Sequence, residues 1–286
     1  MTPHWELGGV RVYAITDLVE YGVIDQIFPS ATASAIDAQS DWLAPWALTP
    51  GEGMIMAYHA FLIETDNALT LVDTCVGNDK VRPVPEWDRR RGEFLDRFRE
   101  TGFAPSDVST LFCTHMHPDH VGWNTKLVGG RWVPTFARAR HLFVEEEFEA
   151  TRSRDSMSLY WEDSIQPIVD AALVDLVDAE YVAGRVALVP SPGHTEGHVC
   201  VAIHGDRADA MITGDLVHLP IQFAHLNWAS RYDMDASRTE RERRRFARRW
   251  SEGNTLILGN HFPSPIAGYV AAHGDAYRFE LDEAAQ

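Results

Sequence analysis

The segment Thr114-His115-Met116-His117-Pro118-Asp119-His120 gathers three imidazoles and a carboxylate within a few consecutive positions. In extended backbone, residues two apart point to the same side, so His115 and His117 can converge on one ion. Pro118 cannot continue a central strand, and a turn there swings Asp119 and His120 round to a second point nearby. Imidazole and carboxylate donors suit Zn²⁺, and other first-row metals are also admitted. Four donors do not fill two sites, so the rest of the chain must supply more. His194 follows the turn Ser191-Pro192-Gly193, Asp215 follows Thr213-Gly214, and His261 follows the apolar run 255–258. Singly, each would pass as a strand cap or surface residue; together, behind such a motif, they favour ligation.

The elements that position these donors are short apolar, β-branched runs, which predict strands over 10–16, 55–63, 69–72, 110–114, 185–189, 199–203, 210–213 and 255–258. Helices are predicted over 90–101, 145–150, 163–172 and 236–250, the last with Phe246 and Trp250 on one face. Strands and helices mix along the whole chain, which argues for an α/β fold built of layers. With no repeat and no Gly/Ser linker, a single domain over 1–286 is expected. The stretches 41–53 and 77–92 read as long loops. The arginines of 238–249 read as a solvated helix face with charge pairs at helical spacing.

The composition is that of a folded globular protein, with 45% hydrophobic and 23% charged residues, which argues against disorder. Its 25 Lys+Arg against 42 Asp+Glu leave a net charge of −17, so nucleic acid meets net repulsion and is not an expected partner. Cys75, Cys113 and Cys200 are too few for a disulfide framework and fit a reducing compartment. No apolar run approaches the roughly 18 residues of a membrane span, and the start lacks the features of a secretory signal. A cytoplasmic location and no membrane partner are expected.

Taken in order, His115-Met116-His117-Pro118-Asp119-His120, Pro192-Gly193-His194-Thr195-Glu196-Gly197-His198, Gly214-Asp215 and His261 make the sequence resemble the metallo-β-lactamase superfamily, from about Tyr13 to Gly268. The resemblance implies a four-layer αββα sandwich holding two divalent metal ions, with Zn²⁺ the first choice. It assigns His115, His117 and His194 to one ion and Asp119, His120 and His261 to the other, with Asp215 bridging. Asp73 matches the family's Asp that braces a ligand from behind, and Cys75 stands where a small Gly is common. His120 together with the bridging Asp215 is similar to the dinuclear hydrolase branch, and the runs 119–124 and 214–218 look most like lactonases and methyl-parathion-hydrolase-like esterases. His218 stands where many acyl-homoserine lactonases carry Tyr. Relatives are often dimers, so a homodimer is compatible with the resemblance.

The chemistry implied is hydrolysis of a small-molecule ester or lactone by hydroxide generated between two ions near neutral pH. The leaving oxygen would be protonated by Asp119 or His218, although a His three residues past a ligand serves equally well as a pocket wall. Trp123, Phe223, Trp228 and Phe262 lie near ligands or on the loop after Asp215 and are candidates to line an apolar substrate site. Taken singly, Phe223 and Trp228 would as readily pack their loop onto the body. The alternatives are an aryl phosphotriester hydrolase, a glyoxalase II-like thioesterase and a mononuclear iron persulfide dioxygenase. Survival of both His120 and His261 speaks against the last.

Overall fold

The computed structural model describes residues 2–22, 24–49, 51–154 and 157–282. Two compact units are present: Met1–Leu18 with Tyr58–Tyr181, and Val19–Ala57 with Val182–Gln286.

In the first unit, strands Leu69–Val72, Thr110–Phe112, Arg140–Val144 and Val174–Val177 run parallel in that order. All four residues of Leu69–Val72 are buried, the continuous pattern expected of a strand covered on both faces. The carboxyl ends of two of these strands lead directly into Asp73 and into the His115–His120 segment, the end of a parallel sheet where sites form. Antiparallel strands Gly53–Thr65, Val10–Tyr21 and His4–Glu6 extend the sheet.

The second unit holds a seven-stranded sheet whose spatial order follows the chain, from Val182–Ala183 to Ala276–Leu281. All its pairs are antiparallel except Asp209–Ile212 with Leu256–Leu258. A parallel pair needs a crossover, and the long helix Ala236–Glu252 supplies it. Asp235 caps that helix by accepting the Arg238 N–H at 2.9 Å. Phe246, Ala247 and Trp250 pack its inner face against Phe223, Phe262 and Phe279. His194, Asp215 and His261 follow the strands Val186–Pro190, Asp209–Ile212 and Leu256–Leu258. Among the described residues, no helix is long and apolar enough to cross a membrane.

Two expectations need correction. The 41–53 stretch is not one loop: the helix Ser40–Leu43 enters it, and Leu48–Thr49 pairs with the start of Gly53–Thr65. Its Pro, Gly and Trp residues separate elements too short to leave a periodic pattern. The 163–172 region is not one α-helix either: a π-helical turn, Trp161–Ile165, precedes the helix Gln166–Asp170. Pro167 falls in the first turn of that helix, where its missing N–H does no harm.

The 77–92 stretch carries a buried ionic cluster. Arg82 grips Asp163 with both terminal nitrogens, at 2.6 and 2.9 Å. Lys80 Nζ donates to Thr125 Oγ1 at 2.8 Å and to Asp163 O at 3.0 Å, and sits 3.9 Å from the centre of the Trp132 ring. Burial is the main force lowering the Lys80 pKa from 10.5 to about 7, with Asp163 opposing and Arg82 adding to the drop. Between those two values the folded chain binds fewer protons than the unfolded chain, so the contribution of Lys80 to stability improves as pH rises from 7 towards 10.5 and is least favourable below 7. The urea midpoint of Lys80→Met, which leaves the Arg82–Asp163 pair intact, is expected to compare more favourably with wild type at pH 7 than at pH 10. A difference from wild type that does not vary with pH would contradict this.

Candidate metal centre

In the first unit the donors hang from a braced turn. Asp73, fully buried and in left-handed backbone (φ 60°), accepts three hydrogen bonds: from Thr114 N at 2.7 Å, Thr114 Oγ1 at 2.9 Å and His120 Nδ1 at 2.9 Å. Cys75 shares this conformation (φ 47°), which gives a physical reason for the glycine common there in the family. Gly122 presses on the same turn; a Cβ on it would lie 2.0 Å from Val76 O. Glu147 accepts the Met116 N–H at 2.9 Å and so pins the segment between the two histidines. The rings of His115 and His117 lie 4.6 Å apart, and Asp119 Oδ2 lies 3.7 Å from His120 Nε2.

In the second unit, Asp215 stands among imidazoles with its two oxygens facing different ways. Oδ2 lies 3.2 Å from His194 Nε2 and 3.2 Å from His218 Nε2, whereas Oδ1 lies 3.0 Å from His261 Nε2. His198, assigned no ligand role from sequence, accepts the Asp215 N–H on Nε2 at 2.9 Å. Its Nδ1–H must then donate, and the Ser191 carbonyl lies 3.1 Å away. His194 Nδ1 donates to Asp233 Oδ1 at 2.9 Å, and His261 Nδ1 to Ala57 O at 3.0 Å.

The donor set fits divalent metal in two respects. His120, His194 and His261 each spend Nδ1 on an oxygen acceptor, which fixes the tautomer that offers Nε2, the arrangement typical of metal-bound histidine. The set also consists of imidazole nitrogen and carboxylate oxygen, the donors that divalent zinc takes. Burial lowers the His194 pKa, but hydrogen bonds to Asp215 and Asp233 outweigh it and raise the value to about 9. Burial also lowers the His218 pKa, here with Asp215 only partly compensating.

The other sequence candidates fall in different places. His218 is buried, its ring edge-on to Phe28 at 6.0 Å, and its Nδ1 has no hydrogen-bond partner among the described residues. Phe28 also lies 6.1 Å from Trp228, which stacks on His225 at 4.2 Å. Trp123 stacks on Phe94 in the first unit at 5.4 Å. Phe223 and Phe262 lie in the core of the second unit, both against Phe279. Sequence reading missed Asp233, which sits in no motif. It also read every arginine of 238–249 as solvated, which Arg243 corrects: its side chain is fully buried and bonded to three carbonyls. The signal was present, since Arg243, Phe246, Ala247 and Trp250 follow the spacing of a buried stripe.

An α/β chain that presents His and Asp side chains at strand ends, several of them braced from behind, has the donors that could hold metal. Residues 56–252 match the model described as the metallo-beta-lactamase superfamily, and the chain belongs to that superfamily. Its sequence is similar to an N-acyl homoserine lactonase of Bacillus cereus, 25% identical over 58% of this chain and 65% of the relative. It is 28% identical to a probable metallo-hydrolase of Mycobacterium tuberculosis over 57% of each chain. The chain thus spans about two thirds or less of the length of these relatives. Its fold is similar to that of the dizinc quorum-quenching lactonase AidC (TM-score 0.77, 20% identity, 99% of this chain and 97% of that one). The hydrolase AbOPH of the beta lactamase superfamily gives a TM-score of 0.81 at 19% identity, over 99% and 97%. The α/β class and metallo-β-lactamase fold expected from sequence are therefore the ones observed.

Proposed function

We propose that this chain is a dinuclear metal-dependent hydrolase that cleaves a small carboxylic ester or lactone, its two units acting as one domain. The observation that carries the reading is Asp215, whose Oδ2 lies by His194 and Oδ1 by His261, so that one carboxylate could serve two ions. His115, His117, His194 and Asp215 would hold one ion, and Asp119, His120, His261 and Asp215 the other, with Zn²⁺ preferred by this donor set. Bound there, two ions would supply a water acidified towards about pH 7 and a Lewis acid for the carbonyl oxygen. His218 is the proposed hydrogen-bond donor to the substrate's reacting oxygens, since its burial, edge-on to Phe28, favours a neutral ring. Asp119 is the second candidate to carry a proton to the leaving group. The lactonase relatives support the ester or lactone class. His218 in the place of Tyr keeps aryl phosphotriesters as the second reading.

A hydrolysis panel of acyl-homoserine lactones, δ-lactones, aryl esters, thioesters and aryl phosphotriesters tests this. Carboxyl esters or lactones are expected to give the highest kcat/KM; phosphotriesters ahead of all of them would move the assignment to the second reading. His218→Phe is expected to lower kcat for lactones more than for p-nitrophenyl esters, whose leaving group needs no proton. Equal losses would reduce His218 to a wall of the pocket.

A further inference from the structure

The turn that carries His194 is seated on the start of the helix Ala236–Glu252. Asp235 N donates to Gly193 O at 2.9 Å, and Met234 N to His194 O at 3.1 Å. A Cβ on Gly193, whose φ is +135°, would lie 2.4 Å from Thr239 N, so the approach requires glycine. Asp233, its side chain fully buried, takes the His194 Nδ1–H on one oxygen at 2.9 Å and the Ser230 N–H on the other at 2.9 Å. That second oxygen faces Arg243 Nη2 at 3.8 Å. Arg243 donates Nε–H to Leu216 O at 2.8 Å and Nη1–H to Leu226 O and Trp228 O, both at 2.9 Å. One buried guanidinium therefore holds the loop that starts beside Asp215 and carries His218 through three hydrogen bonds, and sets its charge 3.8 Å from the carboxylate that orients His194.

We propose that Asp233 and Arg243 are positioning residues of the metal centre: Asp233 fixes His194 with Nε2 presented to the ion, and Arg243 holds that carboxylate and the 216–228 loop in one frame. The inference rests on the metal-binding reading above. A carboxylate behind a ligating histidine sets its orientation and strengthens it as a donor, and loss of such a partner typically costs about 10–100-fold in metal affinity. A lysine cannot replace Arg243, because one ammonium cannot reach the three carbonyls with the geometry of a planar fork while keeping its charge beside Asp233.

The test uses the full chain stripped of metal. Zn²⁺ affinity is read by competition with a chromophoric chelator, the ligand field by Co²⁺ absorption, and the urea midpoint is measured without metal. Asp233→Ala is expected to weaken one of two sites by about 10–100-fold and shift the Co²⁺ bands, leaving the other site within a few-fold. Asp233→Asn keeps an acceptor oxygen and the side-chain shape, so it should fold as wild type and show a smaller loss at the same site. Arg243→Lys should weaken that site and lower kcat, whereas Arg248→Lys on the exposed face should change neither. A merely structural role predicts a lower urea midpoint with both affinities and the Co²⁺ spectrum unchanged in the Asp233 variants, and that result would overturn the proposal. If wild type binds one ion only, the dinuclear reading fails, but weakening of that one site by Asp233→Ala still supports the positioning role. If wild type binds none, both fail.

Discussion

Asp215→Ala is expected to lower kcat by several orders of magnitude and to leave no more than one tightly held ion per chain. The carboxylate faces different imidazoles, Oδ2 His194 and His218 and Oδ1 His261, so its loss would remove a ligand from both proposed sites at once. It also removes the group that faces His218 at 3.2 Å. The fold should persist, because the Asp215 backbone stays anchored: its N–H donates to His198, and the preceding Gly214 N–H donates to Asn260 Oδ1 at 2.9 Å. Steady-state kinetics, metal content and circular dichroism on one preparation check all three. Activity within a few-fold of wild type would remove Asp215 from the centre of the site.

The second large effect is expected at Asp73. Asp73→Ala removes the acceptor of the buried Thr114 N–H and His120 Nδ1–H, each costing roughly 1–3 kcal/mol when unmet, and places alanine at a positive φ that Asp tolerates better. The sum will not be additive, but a loss of about 3 kcal/mol in urea unfolding is expected. Affinity at the site containing His120 should fall with it. Asp73→Asn should lose less, since Asn retains an acceptor and tolerates the left-handed region. Urea midpoints and zinc retention of the two variants measure this. Stability of both at the wild-type value would show that Asp73 braces nothing.

The proposed ligands were legible in the sequence because they are short donors placed where strands stop, so motif and strand prediction pointed to the same residues. Asp73 was legible for the same reason. Asp233 was not: it lies 39 residues from His194 and gains meaning only when the start of the long helix folds back onto the 193–194 turn. Lys80 and Arg82 were hidden likewise, since Asp163 is more than 80 residues away. The hairpin formed by Ala267–His273 and Ala276–Leu281 turns on Gly274-Asp275, a two-residue signal that passed unnoticed between apolar runs. Arg243 was masked by its neighbours, whose charge pairs along the exposed face gave a complete explanation of the segment without it.

The claim on which the proposed chemistry stands is that one chain holds two ions through nitrogen and oxygen donors. Its most direct test is elemental analysis of purified protein after exhaustive dialysis, paired with activity on the same sample. About two equivalents of divalent metal per chain are expected, with activity lost on chelation and restored by Zn²⁺. A stoichiometry near one in protein that is fully active would contradict the dinuclear site.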